Sequence, residues 1–159
     1  MAAVDLAPGE PNQRSDLRLF RLFGIQFTAN WSWLLLLALL VYVAGSTFRM
    51  LRLDWTPPVL WSMAVVAALL SVASLYSHEL AHALVARAFG IPVRTISLFL
   101  LGGMAHITRE SPSPRAEFLI ALAGPAVSLT IGVVAAVASM TLWTTAPPVA
   151  ALGLWLATM

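Results

Sequence analysis

The stretch SLYSHELAHALVARAFG, residues Ser74 to Gly90, sets two histidines and a glutamate within a long apolar part of the chain. On a helix, His78 and His82 are four residues apart and share one face, where their imidazoles could bind one zinc ion. Glu79 is rotated by about 100° from His78 and could act as a general base on a water at that ion. The pattern H-E-x-x-H therefore predicts a zinc-dependent hydrolytic site, and the alternative is a polar cluster that satisfies itself between helices.

The composition indicates a membrane protein. Of 159 residues, 60% are hydrophobic and 10% are charged, whereas soluble domains have about 45–50% apolar and about 25% charged residues. Cysteine is absent, which excludes disulfides and thiolate metal sites. The net charge is only +2, and no basic patch is interleaved with aromatic residues, so no nucleic-acid partner is expected.

Apolar runs predict about three complete membrane spans and a truncated fourth. The runs cover residues 31–48, 59–89, 116–143 and 149–159, and the main span of the third is expected over 126–143, after Gly124-Pro125. The first run would make about 27 Å of helix, which is close to the thickness of a hydrocarbon core. The fourth is too short to cross, and we expect the chain to be cut off within that span.

A small β element is predicted between the second and third spans. Residues 95–100 alternate between apolar and other side chains, which favours a strand that ends at Gly102-Gly103. Residues 17–30 are predicted to form an interfacial helix that becomes a short strand near Ile25 to Phe27. The predicted fold class is an all-α polytopic membrane protein with a small membrane-embedded β element.

The arginines predict the orientation in the membrane. Seven lie in the amino-terminal tail and the second connection, and two, Arg49 and Arg52, lie in the first connection. The positive-inside rule then places the amino terminus and the His78 end of the second helix in the cytoplasm. Residues 1–16 are predicted to be a disordered cytosolic tail.

Three stretches follow one another in the order HELAHALVARAFGIPV, LFLLGGMAHI and EFLIALAGPAVS. Together they resemble the intramembrane site-2 proteases, and the resemblance covers nearly everything from Leu17 onward. It implies a zinc metalloendopeptidase in the lipid bilayer of a bacterial or archaeal cytoplasmic membrane, which cleaves the transmembrane segments of single-span membrane proteins. His78 and His82 match the Zn²⁺ ligands of the family, and Glu79 matches its catalytic base.

The resemblance also implies roles for two glycine motifs. Gly102 and Gly103 match the glycines of a membrane-embedded strand that binds unwound substrate, and the alternative is a simple bend. Gly124-Pro125 matches a motif on the next helix, in which this chain has Ser128 where some members have asparagine. Small residues there could instead allow close helix packing. They are Ala121, Ala123, Gly124 and Ala126.

One part of the family pattern is missing. The resemblance implies a third zinc ligand, an aspartate in a later "LDGGR"-like motif, and catalytic zinc needs three protein ligands. The candidates within this chain are His106, Glu110, Glu117 and Asp54. We therefore expect residues 17–159 to be a membrane-embedded metalloprotease core that is incomplete at its C-terminus. A natural short relative that binds membrane segments without cleaving them, or another membrane zinc peptidase with a glutamate ligand, are the alternatives.

Overall fold

The computed structural model describes residues 16–51, 54–99, 102–107 and 112–159. These residues form four helices and four strands, and the predicted mainly helical fold with a small β element is confirmed. The strands are β1 (Asp16–Leu22), β2 (Ile25–Asn30), β3 (Val93–Phe99) and β4 (Gly102–Ile107). The helices are α1 (Trp33–Met50), α2 (Pro57–Ala88), α3 (Pro114–Leu142) and α4 (Pro147–Thr158).

Among the described residues, three helices are long and apolar enough to cross a membrane, namely α1, α2 and α3. This number confirms the three predicted spans, and α4 is a shorter apolar helix of 12 residues. Helix α2 has 32 residues, or about 48 Å of length. Helix α3 is continuous over 29 residues with Pro125 inside it, so the prediction that its main span begins after Gly124-Pro125 is wrong.

The four strands form one mixed sheet in the order β1-β2-β3-β4. The outer pairs are antiparallel, and β2 and β3 are parallel. A two-residue turn at Phe23 and Gly24, both with positive φ, closes the hairpin of β1 and β2. The interfacial helix predicted over residues 17–30 is therefore wrong, although the short strand near Ile25 is correct. The predicted tail lies outside the described residues, except for Asp16 at the start of β1.

The sheet packs against the second half of α2, which carries the H-E-x-x-H motif. Ile25 and Phe27 of β2 and Ile96 of β3 are fully or almost fully buried in a core with Tyr76 of α2. The Tyr76 hydroxyl donates to the Thr28 carbonyl oxygen over 3.1 Å. One face of α2 is thus fixed to the sheet, at a position two residues before His78.

The first half of α2 packs against α1 and α4. Trp155 of α4 is buried in this second core, and its Nε1 donates to Ser71 Oγ of α2 over 2.8 Å. Ser71 Oγ in turn donates to the Ala67 carbonyl oxygen over 2.9 Å. This pair of hydrogen bonds fixes α4 to the helix that carries the motif.

Ser71→Ala should destabilise the protein by about 1 kcal/mol. The substitution leaves the buried indole N–H without its acceptor, which costs about 1–3 kcal/mol, although interhelical hydrogen bonds in membranes average only about 0.6 kcal/mol. The free energy of unfolding is measured by SDS titration in mixed micelles. Ser77→Ala is the control, because Ser77 Oγ makes the same intrahelical bond to the Ala73 carbonyl oxygen. Equal destabilisation by the two substitutions would contradict the role given to the Trp155 contact.

Candidate metal centre

His78 and His82 lie one turn apart on α2, and both point towards α3. Their Nε2 atoms are 3.0 Å apart, and their ring planes are inclined by 73°. Both side chains are half-buried. One ion at the usual zinc–nitrogen distance of about 2.0–2.1 Å could contact both Nε2 atoms. The structure therefore brings together the two residues that the sequence predicts as metal ligands.

Helix α3 contacts the other nitrogen of each ring. His82 Nδ1 lies 2.6 Å from the Ile120 carbonyl oxygen, and His78 Nδ1 lies 2.8 Å from Ser128 Oγ. A carbonyl oxygen can only accept, so His82 carries a proton on Nδ1 and, when neutral, a free lone pair on Nε2. The Ser128 hydroxyl can donate or accept and therefore suits either tautomer of His78.

This arrangement fits a zinc ion. Metal-binding histidines almost always donate their second ring N–H to a carbonyl, a carboxylate or water, which orients the ring and increases its basicity. Ile120 supplies such an acceptor for His82, and Ser128 can supply one for His78. Both Nε2 atoms are then free to act as ligands, and neutral imidazole is among the nitrogen ligands that zinc prefers.

Glu79 and His78 line the same cavity, which has a volume of about 560 Å³. Ser128 of α3 also lines it, and so do Leu40 of α1 and Leu156 of α4. The Glu79 side chain is half-buried. The predicted base therefore faces a space beside one predicted ligand, in which a water molecule and a substrate segment could be held.

The two candidates for a third ligand that the structure describes, Glu117 and Asp54, are not brought to this pair. Within the part of the chain that the structure describes, no three His, Cys, Asp or Glu side chains form a group that could hold a metal. Glu117 is exposed in the first turn of α3. Asp54 is exposed just before the amino-terminal end of α2, which is the end opposite to the histidines. The His106 side chain and Glu110 lie outside the described part.

The glycine motif at Gly102 and Gly103 lies in the sheet. Gly102 and Gly103 begin β4 and pair with Phe99 and Leu98 of β3. β3 ends at Phe99, before the glycines, as the sequence predicts, and the glycines begin a further strand that the alternation did not indicate. In the described sheet β4 is an edge strand, and it lies against α2.

Sequence reasoning missed the partners of the histidines. The Ile120 acceptor is a backbone oxygen, so no side-chain pattern marks it. In the sequence, Ser128 stands out only as a replacement for the asparagine of some family members, but in the structure it contacts His78. The packing interpretation of the small residues holds only in part, because Gly124 is buried against the histidines, whereas Ala121 and Ala126 are exposed.

Known proteins resemble this chain in sequence and in fold. Residues 65–154 match Peptidase family M50. The protein sll0528 of Synechocystis sp., provisionally named a zinc metalloprotease, is 42% identical over 129 residues, which are 80% of this chain and 34% of that protein. Rip3 of Mycobacterium tuberculosis, named in the same provisional way, is 34% identical over 148 residues, which are 92% of this chain and 38% of that protein. The chain thus spans somewhat more than a third of the length of these relatives.

A solved structure has the same fold. The site-2 protease from Methanocaldococcus jannaschii superimposes with a TM-score of 0.58 and 25% sequence identity, over 90% of this chain and 62% of that one. The family match covers α3 and most of α2, including the H-E-x-x-H motif and both histidine partners. The resemblance to site-2 proteases is confirmed, and the chain belongs to peptidase family M50.

Proposed function

We propose that this chain forms part of the active site of an intramembrane zinc metalloprotease that cleaves transmembrane segments of other membrane proteins. In this proposal His78 and His82 bind zinc, and Glu79 is the general base. The observation that carries it is the pair of Nε2 atoms 3.0 Å apart, with Glu79 and His78 lining one cavity. Membership of family M50 and three helices of spanning length support the membrane location and the use of zinc.

Zinc, when bound, would polarise the scissile carbonyl and make a water more acidic. Glu79 accepts the proton from the attacking water and passes it to the leaving amine. The Ile120 carbonyl oxygen keeps the His82 proton on Nδ1, so that Nε2 remains a ligand. Ser128 holds the His78 ring at the cavity wall.

A third protein ligand is needed for a catalytic zinc site. We place it outside the side chains that the structure describes, because within them no third His, Asp or Glu joins the histidines. Of the candidates from the sequence, that leaves His106 and Glu110, in addition to a residue from any longer product of the same gene.

The substrate that fits this site is an apolar segment with an extended backbone at the cleavage point. The cavity is lined by apolar side chains such as Leu36, Leu40 and Leu156, in addition to Glu79 and His78. Strand β4 pairs with β3 on one side and is the edge of the described sheet. An unwound substrate could therefore pair with β4 at Gly102 and Gly103, because glycine itself presents no side chain to an approaching backbone.

The proposal is tested by measuring bound zinc and proteolysis in the same set of variants. His78→Ala/His82→Ala should lose both zinc and cleavage of a single-span reporter in liposomes. Glu79→Gln should retain zinc and lower the cleavage rate by about 100-fold or more, because general-base catalysis contributes about 10²–10⁴-fold. Glu117→Gln is the matched control, since that glutamate is exposed at the start of α3.

Zinc is measured in the 159-residue chain, and cleavage in the longest product of the gene. With two described ligands, we expect the 159-residue chain alone to bind zinc weakly and to be inert. Cleavage that survives Glu79→Gln would contradict the role of the base. Reporter binding without any cleavage, in a zinc-loaded protein, would favour the non-proteolytic alternative. Tight zinc binding that is lost in His106→Ala would identify the third ligand within this chain.

We further propose that the amino terminus and the His78 end of α2 face the cytoplasm, as the arginine distribution predicts. The chain has no cysteine, so single cysteines report their location directly. Asp54→Cys should react with a membrane-impermeant thiol reagent added outside intact cells, and Pro112→Cys should react only after the cells are opened. Both positions are exposed. A substitution at Pro112 leaves Ser113 unchanged, and Ser113 Oγ caps α3 by accepting from the Ala116 N–H. Labelling of Pro112→Cys from outside would reverse the proposed orientation.

A further inference from the structure

Gly124 of α3 lies directly in front of the two histidine rings. It is buried, four residues after Ile120 and four before Ser128, so the three residues follow one face of the helix. A Cβ atom at position 124 would lie 2.2 Å from His82 Nε2 and 2.5 Å from His78 Nε2. Non-bonded carbon and nitrogen atoms do not approach so closely, so any side chain here would displace the rings.

Two glycines elsewhere in the fold differ from Gly124 in what a Cβ atom would meet. A Cβ at Gly153 would meet the Ala135 backbone oxygen at 2.6 Å, as expected where two helices pack closely. A Cβ at Gly132 of α3 would meet nothing within 4 Å. At Gly124 the three nearest atoms all belong to imidazole rings. The requirement for glycine at this position therefore comes from the histidines and not from the backbone of a neighbouring helix.

The rings cannot move away without a cost. His82 is held by its hydrogen bond to the Ile120 carbonyl oxygen, and His78 by its contact with Ser128. A methyl group 2.2 and 2.5 Å from the two Nε2 atoms would be far inside non-bonded contact with both rings. A side chain at 124 would thus push one or both Nε2 atoms out of the arrangement in which they lie 3.0 Å apart.

We propose that Gly124 is a positioning residue of the metal centre. Its missing side chain lets both imidazole rings lie against α3 with His78 Nε2 and His82 Nε2 close enough to bind one divalent cation. This inference rests on the proposed function, because it assumes that the two histidines bind a metal. Helix α3 then closes one side of the site with bare backbone, while its Ile120 and Ser128 orient the ligands.

The test is the affinity of the purified longest product of the gene for Zn²⁺, measured by competition with a chromophoric chelator, and its visible spectrum with Co²⁺. Gly124→Ala should weaken Zn²⁺ binding by at least about 100-fold, the upper end of what outer-shell substitutions cost, and should remove the Co²⁺ absorption bands. Gly132→Ala is the matched control, because it adds the same methyl group to the same helix without a contact. It should bind both ions as the unsubstituted protein does.

The outcomes separate this inference from the proposed function. Equal Zn²⁺ affinity of Gly124→Ala and the unsubstituted protein would overturn the role of Gly124 and leave the zinc site in place. Absence of Zn²⁺ binding by the unsubstituted protein would overturn the proposed function and this inference together.

If Gly124→Ala does not fold, a second variant shows whether the added methyl group clashes with the histidines or with the backbone. The same substitution is made in His78→Ala/His82→Ala, where the rings that a methyl group would meet are gone. A folded triple variant supports the inference, because the clash is then with the histidines. A triple variant that also fails to fold would contradict it, since the glycine would then be needed for backbone packing.

Discussion

Two imidazoles side by side within an apolar helix are the constraint on which this structure depends. A polar group taken out of water is costly unless it forms hydrogen bonds. The Ile120 carbonyl oxygen and the Ser128 hydroxyl meet this requirement at Nδ1 of His82 and His78. Both contacts come from α3, so the position of α3 relative to α2 determines where the two Nε2 atoms point.

The rest of the fold fixes α2 from its other sides. Tyr76 donates to the backbone of β2, and this bond joins the sheet to the half of α2 that carries the histidines. Trp155 donates to Ser71, and this bond joins α4 to the other half. A helix of 32 residues is thereby held along most of its length, which is what a site built from neighbouring turns requires. The sheet also ends in β4, beside α2, where we propose that substrate pairs.

Much of the fold and the centre of the site follow from local patterns. Long apolar runs predict the spans, and H-E-x-x-H predicts the histidine pair, because both depend only on spacing along one helix. The hairpin was missed because Arg18 and Arg21, three residues apart among bulky apolar side chains, favour an amphipathic helix, whereas the turn at Phe23 and Gly24 pairs this stretch with β2. The Ile120 contact could not be predicted, since it is made by a backbone oxygen on another element.

X-ray absorption at the zinc edge of the zinc-loaded protein tests most directly whether His78 and His82 share one ion. We predict nitrogen neighbours at about 2.0–2.1 Å and the outer-shell scattering that is typical of imidazole, with an amplitude of at least two rings. His78→Ala or His82→Ala alone should reduce that amplitude by one ring. A zinc environment without imidazole scattering, or one that neither substitution changes, would contradict the proposed metal centre.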